Sequence, residues 1–212
     1  MKTYSPLEER INVISHAIGF LLSIVALLFL IVHASLHGTT LHIVSFSIFG
    51  LSLCVLYSAS TLYHNSKDLE RRNHLKIFDH ASIYVLIAGS YTPFTLVTLE
   101  GTTGWIIFGV AWGAAIIGIT LKLFFTGRYS IISTIMYVVM GWIIVFAIKP
   151  LINSLPMEGL LWLFGGGLAY TIGAILYSIK AIKFNHAIFH ILVLIGSFCH
   201  FISIYYYVIP IK

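Results

Sequence analysis

The chain has 212 residues, 59% of them hydrophobic and only 9% charged, with a mean hydropathy of +0.98. A soluble globule carries about a quarter charged residues, and so apolar a chain would expose large greasy patches to water. The composition therefore excludes a soluble enzyme or a nucleic-acid binder, and the net charge of +5 belongs to membrane topology and contact with anionic headgroups.

Stretches free of Lys, Arg, Asp and Glu run from Ile11 to Ser66, His80 to Leu99, Gly101 to Leu121, Tyr129 to Ile148, Gly159 to Ile179 and Phe184 to Ile211. A bilayer core needs about 20 apolar residues as helix, and the first stretch holds two such lengths around a polar bend, His33 to His42. Seven helices are expected, near residues 11 to 32, 43 to 64, 78 to 98, 103 to 123, 130 to 148, 159 to 180 and 186 to 208. They form one integral membrane domain over 1–212, an all-α bundle. The segment after Lys2 and Arg10 is too long for a signal peptide and lacks a small-residue cleavage site, so it stays as the first helix.

In chain order, the first helix carries His16 with Asn12 and Ser15, which either supports a neighbouring site or only bonds between helices. The bend holds His33, His37 and His42, either solvated or a second metal site. Ser60 and His64 lie one turn apart at the end of the second helix. Asp79 opens the third, as a site residue or simply an N-cap, and Pro93 inside it predicts a kink. Gly109 with Gly113, and Gly165 to Gly167, read as close helix packing. The seventh helix holds His186, His190, His200 and, at its far end, Tyr205 to Tyr207 in an aromatic belt. Cys54 and Cys199 fall inside spans and give no disulfide framework.

Lys and Arg number two before the first helix, four after the second, and two each after the fourth and sixth, against Lys149 and Lys212 on the other side. By the positive-inside tendency the amino terminus is cytosolic and the carboxyl terminus outside. His64, Asp79, His186 and His190 then share one depth, within about two turns of the cytosolic surface. Ionisable groups there are costly and face the bundle interior with partners.

His186 and His190 sit about 40° apart and one turn, roughly 5 to 6 Å, along the axis, which is chelating spacing. His200 lies about 15 Å deeper and is not a ligand. Three imidazoles and a carboxylate suit Zn2+, with a fourth position left for water. Asp79 would hold or deprotonate that water, or be a fourth ligand; Ser60 would donate a supporting hydrogen bond.

Ser60-x3-His64, Asp79 at the head of the third helix and His186-x3-His190 resemble the hemolysin III family, within the progestin and adipoQ receptor group. The resemblance extends to Glu9-x2-Asn12-x2-Ser15-His16 and to Phe78 through Pro93. It implies a seven-helix protein with a cytosol-facing zinc site at His64, His186 and His190, Asp79 near the bound water and Ser60 beside it. The long cytosolic extension of the receptor members is missing, which argues against hormone sensing. The wider group is similar to alkaline ceramidases, implying hydrolysis of a lipid amide or ester. Two functions follow: a zinc hydrolase of the plasma membrane with a lipid substrate and Asp79 as proton shuttle, or a non-catalytic lytic effector or lipid sensor in which zinc staples helices. Proton-coupled transport is disfavoured, because no ionisable chain crosses the bundle.

Overall fold

A computed structural model describes residues 4–99, 101–126, 128 and 130–209, the side chain of Ser130 excepted. Among these residues seven helices are long and apolar enough to cross a membrane: α1 Pro6–His37, α2 Thr40–Asn65, α3 Leu69–Thr98, α4 Gly101–Phe125, α5 Ile131–Ser154, α6 Met157–Ser178 and α7 Asn185–Val208. No strand occurs among them. Helix α1 packs on α2 and α7, α2 on α3, α3 on α4, and α6 on α7, so the first and last helices are neighbours.

The burial pattern inverts that of a soluble bundle. On α1, Asn12, Ser15, His16 and Ser23 are buried, whereas Leu21, Leu22, Leu28 and Phe29 are exposed. Hydrocarbon solvates leucine as well as a protein core does, so polar groups collect inside where they find partners. The core around Leu30, Phe46, Phe49, Phe94, Leu151 and Ile204 is nevertheless fully packed.

Two helices begin earlier than the sequence reading expects. Ser5 caps α1, its Oγ accepting from the Glu8 N–H at 3.2 Å, with Pro6 in the first turn. Asp68 caps α3 by accepting from the Arg71 N–H at 2.8 Å. Asp79 is therefore not an N-cap; it lies inside α3, and the charged residues before it are helical too. The apolar-run criterion stops at the first charge, whereas helical hydrogen bonding continues past the hydrocarbon boundary.

Pro93 does not end α3. The chain widens to a π-helix over Phe94–Thr98, and the Leu99 N–H bonds back to the Phe94 carbonyl at 2.8 Å. In α5 the regular helix gives way to a 3-10 segment at Ile143–Ala147 before resuming.

The two glycine motifs divide. A Cβ on Gly166 would stand 2.3 Å from Cδ2 of His200, so this glycine admits the imidazole of α7, as expected for close packing. Gly109 and Gly113 have nothing within 4 Å of such a Cβ, so among the described residues no helix of this chain packs closely on them.

Candidate metal centre

His64 at the end of α2 and His186 and His190 at the start of α7 meet inside the bundle, all three buried. Their Nε2 atoms converge: His64 to His186 at 3.0 Å and His186 to His190 at 3.0 Å. Among the described residues they are the group of His, Cys, Asp or Glu whose ligand atoms lie within 4.8 Å of one another.

The opposite ring nitrogens decide what converges. His64 Nδ1 lies 2.6 Å from Glu9 Oε2, and His190 Nδ1 lies 3.3 Å from the Asn12 carbonyl and 3.4 Å from Ser15 Oγ. A carboxylate and a carbonyl only accept, so each Nδ1 carries the proton and each Nε2 presents a lone pair. Lone pairs of His64 and His190 thus point at a third imidazole nitrogen. His186 has at most one Nε2 proton to give, and the arrangement is electrostatically satisfied by a cation. Tetrahedral zinc at about 2.0 to 2.1 Å from each nitrogen would set them about 3.3 Å apart, close to the observed separations. The donor set fits a divalent ion of the zinc class.

Glu9 also pairs with Arg72 of α3, whose guanidinium lies 5.0 Å from the Tyr63 ring centroid and donates to the Ser66 carbonyl at 3.2 Å. Carboxylate and guanidinium together hold the His64 ring from behind. On α7, the His186 N–H donates to Glu8 Oε1 at 3.3 Å, occupying one donor of the helix start, which follows Phe184 in a left-handed conformation (φ 58°). Tyr4 stacks on His186 with ring centroids 4.7 Å apart and shares a hydrogen bond with Tyr177; burial pushes its hydroxyl pKa well up, so it stays neutral.

His16 stacks on His190 at 3.6 Å and 9°, with Tyr57 against its edge at 5.1 Å. Its support is thus ring packing; both its nitrogens lack hydrogen-bond partners among the described residues, as do the Asn12 amide and Ser60 Oγ. Such buried polar atoms on α1 and α2 suit a site that takes a polar guest.

Asp79 falls outside the tri-histidine group. Its Oδ2 is 3.7 Å from His80 Nδ1, which bonds better to the Lys76 carbonyl at 2.8 Å. Its charge acts on Tyr63, which packs edge-on against His64, and on Tyr177, which packs against His186. His200, set aside as a ligand, bonds to the Leu163 carbonyl at 3.2 Å.

The expected alternative at the first bend does not form: His33, His37 and His42 make no ligand group among the described residues. His42 Nδ1 accepts from the Thr39 N–H at 3.1 Å, closing the start of α2, and His33 Nε2 bonds to the Ile209 carbonyl at 3.4 Å.

Sequence reasoning overlooked the roles of Tyr4, Glu8, Glu9 and Arg72. The signal was present: Ser5-Pro6-Leu7-Glu8 reads as a capped helix start, and Glu9, Asn12 and His16 then follow at helical spacing on one face. A cleft of about 550 Å³ is lined by His64, by the apolar Val13, Ile14 and Leu69, and by the charged Glu9, Arg10, Lys67 and Arg72.

Seven apolar helices around a buried tri-histidine cluster define an integral membrane protein with a candidate metal centre. The sequence profile of Haemolysin-III related proteins matches residues 4–201, and the chain belongs to that family. It is 46% identical over 203 residues to "Hemolysin-3" of Bacillus cereus, covering 96% of this chain and 93% of the relative. It is 47% identical over 204 residues to "Hemolysin-3 homolog" of Bacillus subtilis (strain 168), covering 96% of each. A more distant relative, human "Monocyte to macrophage differentiation factor", is 28% identical over 172 residues, covering 76% of this chain and 68% of the relative.

Proposed function

We propose that this protein is a zinc-dependent hydrolase of a lipid amide or ester, with the metal centre on the cytosolic side of the plasma membrane. The observation that carries the reading is the convergence of three buried Nε2 atoms, two with lone pairs fixed inward by their Nδ1 partners. An ion held there supplies Lewis acidity toward a carbonyl and toward water.

The protein's own residues would do the rest. The cleft at His64, lined by both apolar and predominantly basic side chains, suits a lipid entering from the inner leaflet with its acyl chain on the former and its polar head on the latter. Ser60 Oγ, buried and without a partner among the described residues, is a donor for a substrate oxygen. Asp79 would take the proton from the attacking water and return it to the leaving group. The excess of Lys and Arg on this end supports the cytosolic orientation.

The ligands come from α2 and α7, distant in sequence, which favours a second reading: a structural ion joining these helices in a lytic or sensory membrane protein, in keeping with the names of the bacterial relatives. Purified wild type, His186→Ala and Asp79→Asn compared for zinc content, melting temperature and turnover of a lipid amide and ester panel separate the two. Asp79→Asn that stays folded and zinc-loaded but loses turnover supports the hydrolase. Undiminished zinc in His186→Ala refutes the centre, and lysis by folded ligand mutants supports the effector.

A further inference from the structure

A second cleft, of about 280 Å³, lies between α4 and α5. Lys122, Arg128 and Ser133 supply its polar side and Phe125, Ile132 and Met136 much of its apolar side. Lys122 is only 4% exposed. Its Nζ donates to Ser133 Oγ at 2.5 Å and stands 5.9 Å from the Tyr137 ring centroid. Among the described residues no carboxylate lies within ion-pair distance of it; the recorded pairs belong to Glu9 and Asp79. Its charged neighbours, Arg128 in the same cleft and Lys76 on α3, repel it.

A buried ammonium with one neutral acceptor for its three donors among the described residues is costly at the edge of hydrocarbon. The α4 carbonyl terminus offsets part of this cost. The second lysine and the arginine nearby add positive potential that the helix end does not neutralise. Phe125 and Ile132 are exposed on the outer face of the same cleft, so its apolar side opens toward lipid. A ligand that satisfies both halves is negatively charged at one end and aliphatic at the other, and the bilayer is its source.

We propose that Lys122, Arg128 and Ser133 form a binding site for the phosphodiester of an anionic membrane phospholipid, its acyl chain lying along Phe125 and Ile132. The site involves neither α2 nor α7 and does not depend on the metal centre.

The full-length protein, purified in a non-ionic detergent, is titrated with phosphatidylglycerol, with phosphatidylcholine of the same chains, and with inorganic phosphate. Melting temperature and lipid retained in native mass spectrometry are both read. Phosphatidylglycerol should raise the melting temperature and stay bound at one equivalent, and phosphatidylcholine and phosphate should do neither. At about 1 kcal/mol per basic contact, Arg128→Gln should weaken the apparent affinity about fivefold and Lys122→Met with Arg128→Gln about thirtyfold. Lys180→Gln with Lys183→Gln, which removes equal charge at the same end of the bundle, should leave it unchanged.

Lys122→Met should also melt no lower than wild type without lipid, because it removes a buried charge that is only partly offset while keeping the stem. Equal response to phosphatidylcholine, equal response to inorganic phosphate, or wild-type binding by the folded double variant overturns the site. If Lys122→Met fails to fold, Arg128→Gln, at an exposed residue, decides alone, and undiminished affinity there overturns it.

Discussion

Removing the Glu9 carboxylate tests how the candidate metal centre would be held. Glu9 makes two charge-assisted contacts, one to His64 Nδ1 at 2.6 Å and one to Arg72. The first fixes the His64 tautomer and raises the basicity of Nε2; the second fixes the carboxylate. Loss of such an outer partner costs about 10- to 100-fold in metal affinity, or about 1.4 to 2.7 kcal/mol. Glu9→Gln keeps an acceptor near Nδ1 and loses the charge, so it should fall near the tenfold end. Glu9→Ala frees the ring and leaves Arg72 without its carboxylate, and should fall near the hundredfold end. Ser15→Ala is the internal control, because His190 Nδ1 retains the Asn12 carbonyl at 3.3 Å; its loss should be about threefold at most. Equilibrium dialysis against graded chelator, with zinc read by elemental analysis, gives the three affinities. If Glu9→Ala binds zinc as tightly as wild type while His64→Ala does not bind it, the tautomer argument is wrong.

Further outcomes follow from other particulars. Chelator treatment should lower the melting temperature of wild type and leave His190→Ala unaffected; restoring zinc at about 100 times its dissociation constant should return about 2.7 kcal/mol, and a melt insensitive to chelator refutes an ion bridging α2 and α7. Gly166→Ala should destabilise by about 1 to 3 kcal/mol, since its Cβ would stand 2.3 Å from the His200 ring. Gly109→Ala, whose Cβ meets nothing within 4 Å, should be neutral or stabilising by up to about 1 kcal/mol; equal thermal shifts for the two would contradict their different settings. A cysteine introduced at Lys67 should react with an impermeant maleimide only after the membrane is opened, and one at Lys149 in intact cells; the reverse pattern inverts the topology.

The number and rough place of the helices were legible because hydrocarbon imposes one strong one-dimensional rule: about 20 residues without charge per crossing. The pairing of His186 with His190 was legible because four residues make about one helical turn. Convergence with His64, 122 residues away from His186 in sequence, had only common depth and family likeness to recommend it, because depth fixes one coordinate and leaves the angle around the bundle free. Helix packing set that angle, drawing α1 between α2 and α7 so that Glu9 reaches His64 and the Asn12 carbonyl reaches His190. The same packing left Asp79 outside the group whose ligand atoms lie within 4.8 Å of one another. It also removed the first-bend histidines as a site by spending His42 on a helix start and His33 on the Ile209 carbonyl. Hydropathy is a local sum that a sequence contains outright; tautomers, buried lone pairs and a Lys122 with no carboxylate partner among the described residues depend on which atoms of separate helices face each other, and only the tertiary structure decides that.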